Sequence, residues 1–334
     1  GFVRLALTVV FTLYFFNHVL KIIAAVETRE VNARRLGAGM NNTIGSMCFF
    51  RPLGQPSCAA AHATLSDHAV LECFLQRFAE RHAALVAAWN AAGFAHGVQN
   101  TDNLSLIGWT IDLNVFGWMN GYDESWTPNH IDTDRRYRFG HQATIAKWNL
   151  ERVIETLSGS ATTSKTARVR EGWLKVDTDG QKGRDTFDTV YQACKIAQHS
   201  ARLGLLRPEK EVVDKWLRWL RRSAADYARA SRLLAESCLA HGDERWKHGA
   251  KELSLATGAK WAGRYDLVEF FVALNASTST GGMSPAWRQR VRRATPRYTF
   301  RSKAIRKITR VLEEKRGSDS TAFASVAQLL RAPF

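Results

Sequence analysis

The run from Phe94 to Trp118 constrains this chain more than any other. His96 and Gly97 open a polar loop, His-Gly-Val-Gln-Asn-Thr-Asp-Asn, that closes at Asp102 and Asn103. The apolar-rich stretch Leu104 to Ile111 then leads to Asp112, nine positions after Asn103. One carboxamide and one carboxylate are thus delivered from the two ends of a short connection. Hard cations such as Mg2+ take oxygen ligands and keep substrate phosphates in their shell, so the run reads as a nucleotide-phosphate and metal site. As plain turn residues Asp102, Asn103 and Asp112 would cap and close loops. His96 reads as a structural histidine whose ring bonds the backbone and fixes the loop.

The same order resembles the back half of a kinase-type active site, where an Asn ending the catalytic loop and an Asp beyond the next β-ribbon hold magnesium on the nucleotide. Small-molecule kinases of the aminoglycoside and choline kind carry His-Gly-Asp, with the metal-binding Asn five residues after that Asp. His96, Gly97 and Asn103 keep this spacing, but Val98 stands where the Asp would be and the nearest carboxylate is Asp102. A sharper likeness comes from HGVQNTDN, TIDLNVFGWMNGYD from Thr110, NHIDTDRRYRFGHQ from Asn129 and IAKWNLERV from Ile145. These segments resemble the protein adenylyltransferase family of selenoprotein O, a pseudokinase-like group. The likeness is dense from about Ala84 to Val153. It continues more thinly in ARLGLL near Ala201, the Ala-Asp-Tyr around Asp226, TPRYTFRSKAI and the terminal Ala-Pro-Phe.

The resemblance implies a protein that binds ATP inverted in its cleft and transfers AMP to Ser, Thr or Tyr hydroxyls of other proteins. Carried over by position, Asp102 is the proton acceptor, Asn103 a magnesium ligand, and Asp112 a ligand of both magnesium and ATP. The implied cofactor is Mg2+, or Mn2+ in its place, with ATP as co-substrate and hydroxyl-bearing proteins as partners. The implied compartment is mitochondrial in a eukaryote and cytoplasmic in a bacterium.

Upstream, the family carries a Gly-rich loop, a phosphate-binding Lys paired with Glu, and two nucleotide-contacting Arg residues. The cluster around Gly37 and Gly39 reads as an ordinary flexible loop, and only Arg4 sits in a segment like the first Arg motif. Leu113, Asn114 and Val115 replace the family's Tyr-Gly-Pro after Asp112. The expectation is therefore an N-terminally incomplete copy: mainly α with a small β-ribbon, a protein-kinase-like C-lobe whose N-lobe is largely missing, and impaired catalysis. The alternative is a non-catalytic helical interaction module, a pseudoenzyme remnant.

A net charge of +16 on 334 residues raises the local concentration of anionic partners. It is densest between Arg288 and Arg310, without a zinc-finger, RRM or helix-turn-helix pattern. A solvated helical face is expected there, and no specific nucleic-acid partner. Cys48, Cys58, Cys73, Cys194 and Cys238 are scattered with no CxxC pair and read as free thiols. The apolar Leu5 to Phe16 is shorter than the roughly 20 residues of a membrane span, so a membrane partner is not expected.

The expected organisation is an atypical apolar segment and linker over 1–57, the catalytic-loop and metal-site part over 66–157, an exposed insertion over 158–183, and the helical remainder of the same domain over 184–334. Val70, Leu71, Phe74, Leu75, Phe78 and Leu85 recur at helical steps and predict a one-faced helix to Trp89. Leu104 to Ile111 is expected as the short hairpin, and Ile145 to Leu157 as a second helix. Helices are expected at Val212 to Leu220, Ala224 to Leu239 and Tyr265 to Leu274. Asp132 and Asp134, among Arg135, Arg136 and Arg138, are expected to brace their loop by ion pairs, the other reading being a seat for a protein substrate. Trp148 and Asn149 are expected in packing and helix-internal contacts.

Overall fold

A computed structural model describes residues 67–105, 108–158, 181–237, 253–259, 264–278 and 284–295. The apolar segment from Leu5, the glycine cluster at Gly37, Arg4, the linker to Ser57, most of the 158–183 insertion and the basic residues from Arg297 onward lie outside them. Seven helices account for most of the described residues: α1 (Asp67–Ala92), α2 (Gln142–Ser158), α3 (Gln181–Arg202), α4 (Lys210–Ser223), α5 (Tyr227–Ser237), α6 (Arg264–Ser277) and α7 (Pro285–Ala294). The described sheet is a single two-stranded ribbon, β1 (Phe94–Ala95) antiparallel to β2 (Gly117–Trp118). No helix among the described residues is long and apolar enough to cross a membrane.

Helix α1 starts where its periodicity predicts, but it is not one-faced. From His82 to Trp89 every side chain is buried, as are Ala91 and Ala92. A helix that is apolar all round belongs in a core, and the small residues Ala83, Ala84, Ala87 and Ala88 let α3 and α2 pack closely along it. The helix stops at Gly93, whose φ of 71° is the left-handed conformation usual just past a helix end. A Cβ there would come within 2.5 Å of the Tyr227 ring.

The hairpin expected at Leu104 to Ile111 is corrected: its described residues are loop, and the ribbon forms instead between the two ends of that connection, Phe94 facing Trp118 and Ala95 facing Gly117. Successive strand side chains point to opposite faces. Phe94 and Trp118 enter a core built by α1, α2 and α3, while Ala95 and the following Met119 enter a second core built by α4 to α7. The ribbon is the seam between the two cores. Burying a side chain the size of Phe94, fully excluded from solvent, contributes about 2–3 kcal/mol.

The second core rests on α4. Val212, Val213, Trp216, Leu217, Trp219 and Leu220 line its inner face, and the Trp216 ring lies 4.9 Å from Trp219 and 4.8 Å from Phe270 of α6. Helix α7 begins with Ser284, whose hydroxyl accepts from Trp287 N, followed by Pro285 at a position that needs no N–H donor. Its inward residues are Trp287, Val291 and Ala294, leaving Arg292 and Arg293 in solvent as the sequence leads one to expect. Arg290 departs from that face, since its Nε donates to Gly204 O at 2.7 Å. Cys194 on α3 is disulfide-bonded, which corrects the reading of free thiols at that position.

Candidate active site

The loop after β1 can turn because residue 97 is glycine. Its φ is 84°, and a Cβ would lie 2.6 Å from Val115 O, so this is a close backbone approach that only glycine tolerates. Val115 belongs to the segment returning to β2, and the two limbs of the connection therefore touch behind the loop.

His96 fastens the limbs together. It is 1% exposed. Its Nε2 lies 2.8 Å from Ile111 O and its Nδ1 3.4 Å from Val98 N. A carbonyl can only accept and an amide N–H only donate, so the ring is the neutral tautomer carrying its proton on Nε2. Burial lowers its pKa, while the Ile111 carbonyl and the nearby Asp112 carboxylate pull the other way. The structural role expected for this histidine is the one observed.

Carboxamides hold the rest of the loop. Gln142, fully buried on α2, accepts from His96 N at 3.0 Å through Oε1 and donates through Nε2 to Phe94 O and Asn90 Oδ1. Asn129 Nδ2 donates to Gly97 O at 3.1 Å, and Asn149 Nδ2 to Gln99 O at 2.9 Å. Asn149 is therefore not a helix-internal contact; it ties α2 to the loop. Tyr137 OH donates to Asn100 Oδ1, and Trp89 Nε1 to Thr110 Oγ1 at 3.0 Å. Sequence reasoning singled out neither Gln142 nor Asn129, although both lie in segments that carried the family likeness.

Asn103 closes a short 3-10 turn, Thr101–Asn103. Its Nδ2 donates to Val98 O at 3.2 Å, which fixes the amide and leaves Oδ1 without a hydrogen-bond partner among the described residues. Asp102, one position earlier, is exposed. Asp112 follows the carbonyl that His96 holds, is exposed, and sits at φ 53°. A non-glycine residue in the left-handed region is uncommon, and such strain gathers at functional sites.

The donor set suits a divalent cation shared with phosphates: a half-buried carboxamide oxygen from Asn103 and an exposed carboxylate from Asp112. Magnesium is commonly held by one or two protein oxygens plus substrate phosphates and water. No group of three or more His, Cys, Asp or Glu side chains forms an all-protein cage among the described residues.

The ion pairs expected of Asp132 and Asp134 do not form among the described residues, and Asp132 braces the loop by another route. Its two carboxylate oxygens accept from the backbone N–H groups of Arg136 (2.9 Å) and Tyr137 (2.8 Å), not from guanidinium groups. Trp148 is not simply packed. It is 39% exposed, with the Arg136 and Arg152 guanidinium carbons 4.9 and 5.1 Å from its ring centroid.

Residues 48–331 match a protein-family model described as Protein adenylyltransferase SelO. Among similar proteins is the Protein nucleotidyltransferase YdiU of Xanthomonas oryzae pv. oryzae (strain MAFF 311018), 30% identical over 267 residues, covering 76% of this chain and 46% of that protein. The Azoarcus sp. (strain BH72) protein of the same name is 31% identical over 263 residues, with the same coverage of each chain. That of Xanthomonas campestris pv. campestris (strain 8004) is 30% identical over 278 residues, 78% of this chain and 48% of its own length. The chain spans about half the length of the curated relatives it matches.

Proposed function

The chain belongs to the protein adenylyltransferase SelO family, and on that premise we propose that it takes part in Mg-ATP-dependent transfer of AMP to Ser, Thr or Tyr hydroxyls of proteins, on a protein-kinase-like C-lobe. The observation that carries the reading is the staple at His96. One residue binds both the loop bearing Asp102 and Asn103 and the carbonyl preceding Asp112, so the three oxygen-bearing side chains belong to one preorganised unit.

In this reading Asn103 Oδ1 and the Asp112 carboxylate would hold Mg2+, or Mn2+ in its place, which when bound would supply positive charge to the phosphate oxygens. The acceptor hydroxyl oxygen forms a bond to the α-phosphorus, the bond from that phosphorus to the β-bridging oxygen breaks, and pyrophosphate leaves. The hydroxyl proton passes to Asp102, an exposed carboxylate able to reach an incoming side chain. Val98, apolar where small-molecule kinases have their Asp, offers no base of its own. Asp102 takes that part from the neighbouring turn.

The test is radiolabel transfer. Label from the α position of ATP should appear on protein acceptors in the presence of Mg2+, and label from the γ position should not. Asp102→Ala should remove the signal. Transfer from the γ position alone would make the protein an ordinary kinase. No transfer above the Asp102→Ala control, with helicity and Mg-ATP affinity intact, would favour a non-catalytic interaction module.

A further inference from the structure

Building on the proposed transfer to protein hydroxyls, we infer that Arg135, Arg136 and Arg138, beside Trp148, form a docking face for an acidic segment of the protein acceptor. All three lie on the segment that packs behind the catalytic loop. Tyr137 binds Asn100 of that loop, and Asn149, next to Trp148, binds Gln99. A segment seated on this face would lie beside the loop that carries Asp102.

Three observations make the face cationic and available. First, Asp132 is spent on backbone N–H groups, and none of the three guanidinium groups has a carboxylate within ion-pairing distance among the described residues. Arg135 instead donates to Ser125 Oγ at 3.2 Å and Arg138 to Arg135 O at 3.1 Å. Second, Arg136 and Arg152 both lie over the Trp148 ring, which brings two cations within about one Debye length of each other. Only Arg152 is compensated, by Glu155 at 2.6 Å. Third, Arg135 sits at φ 52°, where glycine or asparagine would be less strained; the cost is borne at an exposed position. A flat, stacked guanidinium loses less freedom on pairing with a carboxylate than a free one. Arg135 is linked through Ser125 Oγ to the Asp123 carboxylate, while Arg136 and Arg138 have no such link among the described residues. Like charges held together gain from an incoming anion, so the complementary partner is a stretch of Asp and Glu flanking the acceptor hydroxyl.

The experiment uses the whole chain, Gly1 to Phe334, and fluorescence anisotropy of a short labelled peptide with a central Ser flanked by Glu, against the same peptide with Gln. The Glu peptide should bind and the Gln peptide should bind much more weakly. Arg135→Gln/Arg136→Gln should weaken the Glu peptide about tenfold, as expected for losing two ion pairs of ordinary strength. Arg136→Lys, which keeps the charge but not the flat stack on Trp148, should weaken the peptide less than Arg135→Gln/Arg136→Gln does, and equal helicity of all variants guards against a folding defect. Arg292→Gln/Arg293→Gln, removing two exposed cations on α7, should change nothing. Equal losses in the two double variants would reduce the effect to the diffuse field of a +16 chain and overturn the proposal, as would an unchanged affinity in Arg135→Gln/Arg136→Gln. A parallel loss of Mg-ATP affinity in that variant would place these arginines in the nucleotide site and overturn it too. Peptide binding is read without catalysis, so absent AMP transfer with intact, arginine-dependent binding would count against the reaction and not against the docking face.

Discussion

Asp112 presents its carboxylate from a backbone angle that costs an L-residue on the order of 1 kcal/mol. Its replacements should therefore split stability from binding. Asp112→Gly relieves the strain and should raise the melting temperature by a few degrees, or leave it level if the extra freedom of the unfolded chain cancels the gain. Asp112→Ala keeps the strain. Both should lose Mg-dependent nucleotide binding measured by calorimetry, and undiminished binding in either would remove Asp112 from the metal site. Gly97 is the opposite case. A methyl at φ 84° would meet the Val115 carbonyl at 2.6 Å, so Gly97→Ala should cost about 2 kcal/mol or more, seen as a lower urea midpoint. A wild-type midpoint would mean that the two limbs can part without penalty.

At the scale of elements, the helices were legible and their surroundings were not. Val212 to Leu220 and Tyr265 to Leu274 announce α4 and α6 by period alone, and the structure extends each by a few residues. The period of α1 is equally clear. Its burial on every side is set by α3, some ninety residues downstream, which no local pattern reports. The ribbon escaped because two residues per strand carry no period, and their pairing follows from the two cores that they join. The candidate oxygen ligands Asn103 and Asp112 stood out because the phosphate chemistry proposed for them restricts residue type and spacing. Gln142, Asn129 and Asn149 did not, because amides that hold distant carbonyls leave no spacing signal. One consequence of the α1–α3 layer is titratable. Burial lowers the pKa of His82 on α1 to about 4 and, aided by Lys195 and Arg202, that of His199 on α3 to about 3. Both stay neutral in the folded state, while the unfolded chain takes up protons near pH 6.5. Stability should be full above that pH and fall as pH drops towards 4, by about 1.4 kcal/mol per pH unit for each histidine. Urea midpoints across pH 7.5 to 5 would show the slope, and a His199→Gln variant should flatten it. An equal slope in that variant would mean that the histidine is not the group being titrated.

Across the whole molecule, late helices hold an early loop. Tyr227 on α5 donates to Ala91 O at 2.8 Å, at the end of α1, and Tyr122 N donates to Ala225 O at 2.8 Å. Arg221 on α4 grips Glu124 with two bonds of 2.8 and 3.0 Å and lowers that carboxyl's pKa. Tyr227→Phe should cost about 1–2 kcal/mol by taking the hydroxyl donor from the Ala91 carbonyl, detectable as a lower melting temperature. No change would mean that water fills the place. The seam position of the ribbon also orders events in time. Phe94 and Trp118 need one core and Ala95 and Met119 the other, so a chain that has assembled only one half has nothing to clamp the loop's ends. The site is then a late product of folding, born when the halves meet, and the ribbon amides should exchange their hydrogens only through global opening. A chain with one half unpacked would keep helices of the other half but lose the ribbon that joins the loop's two ends.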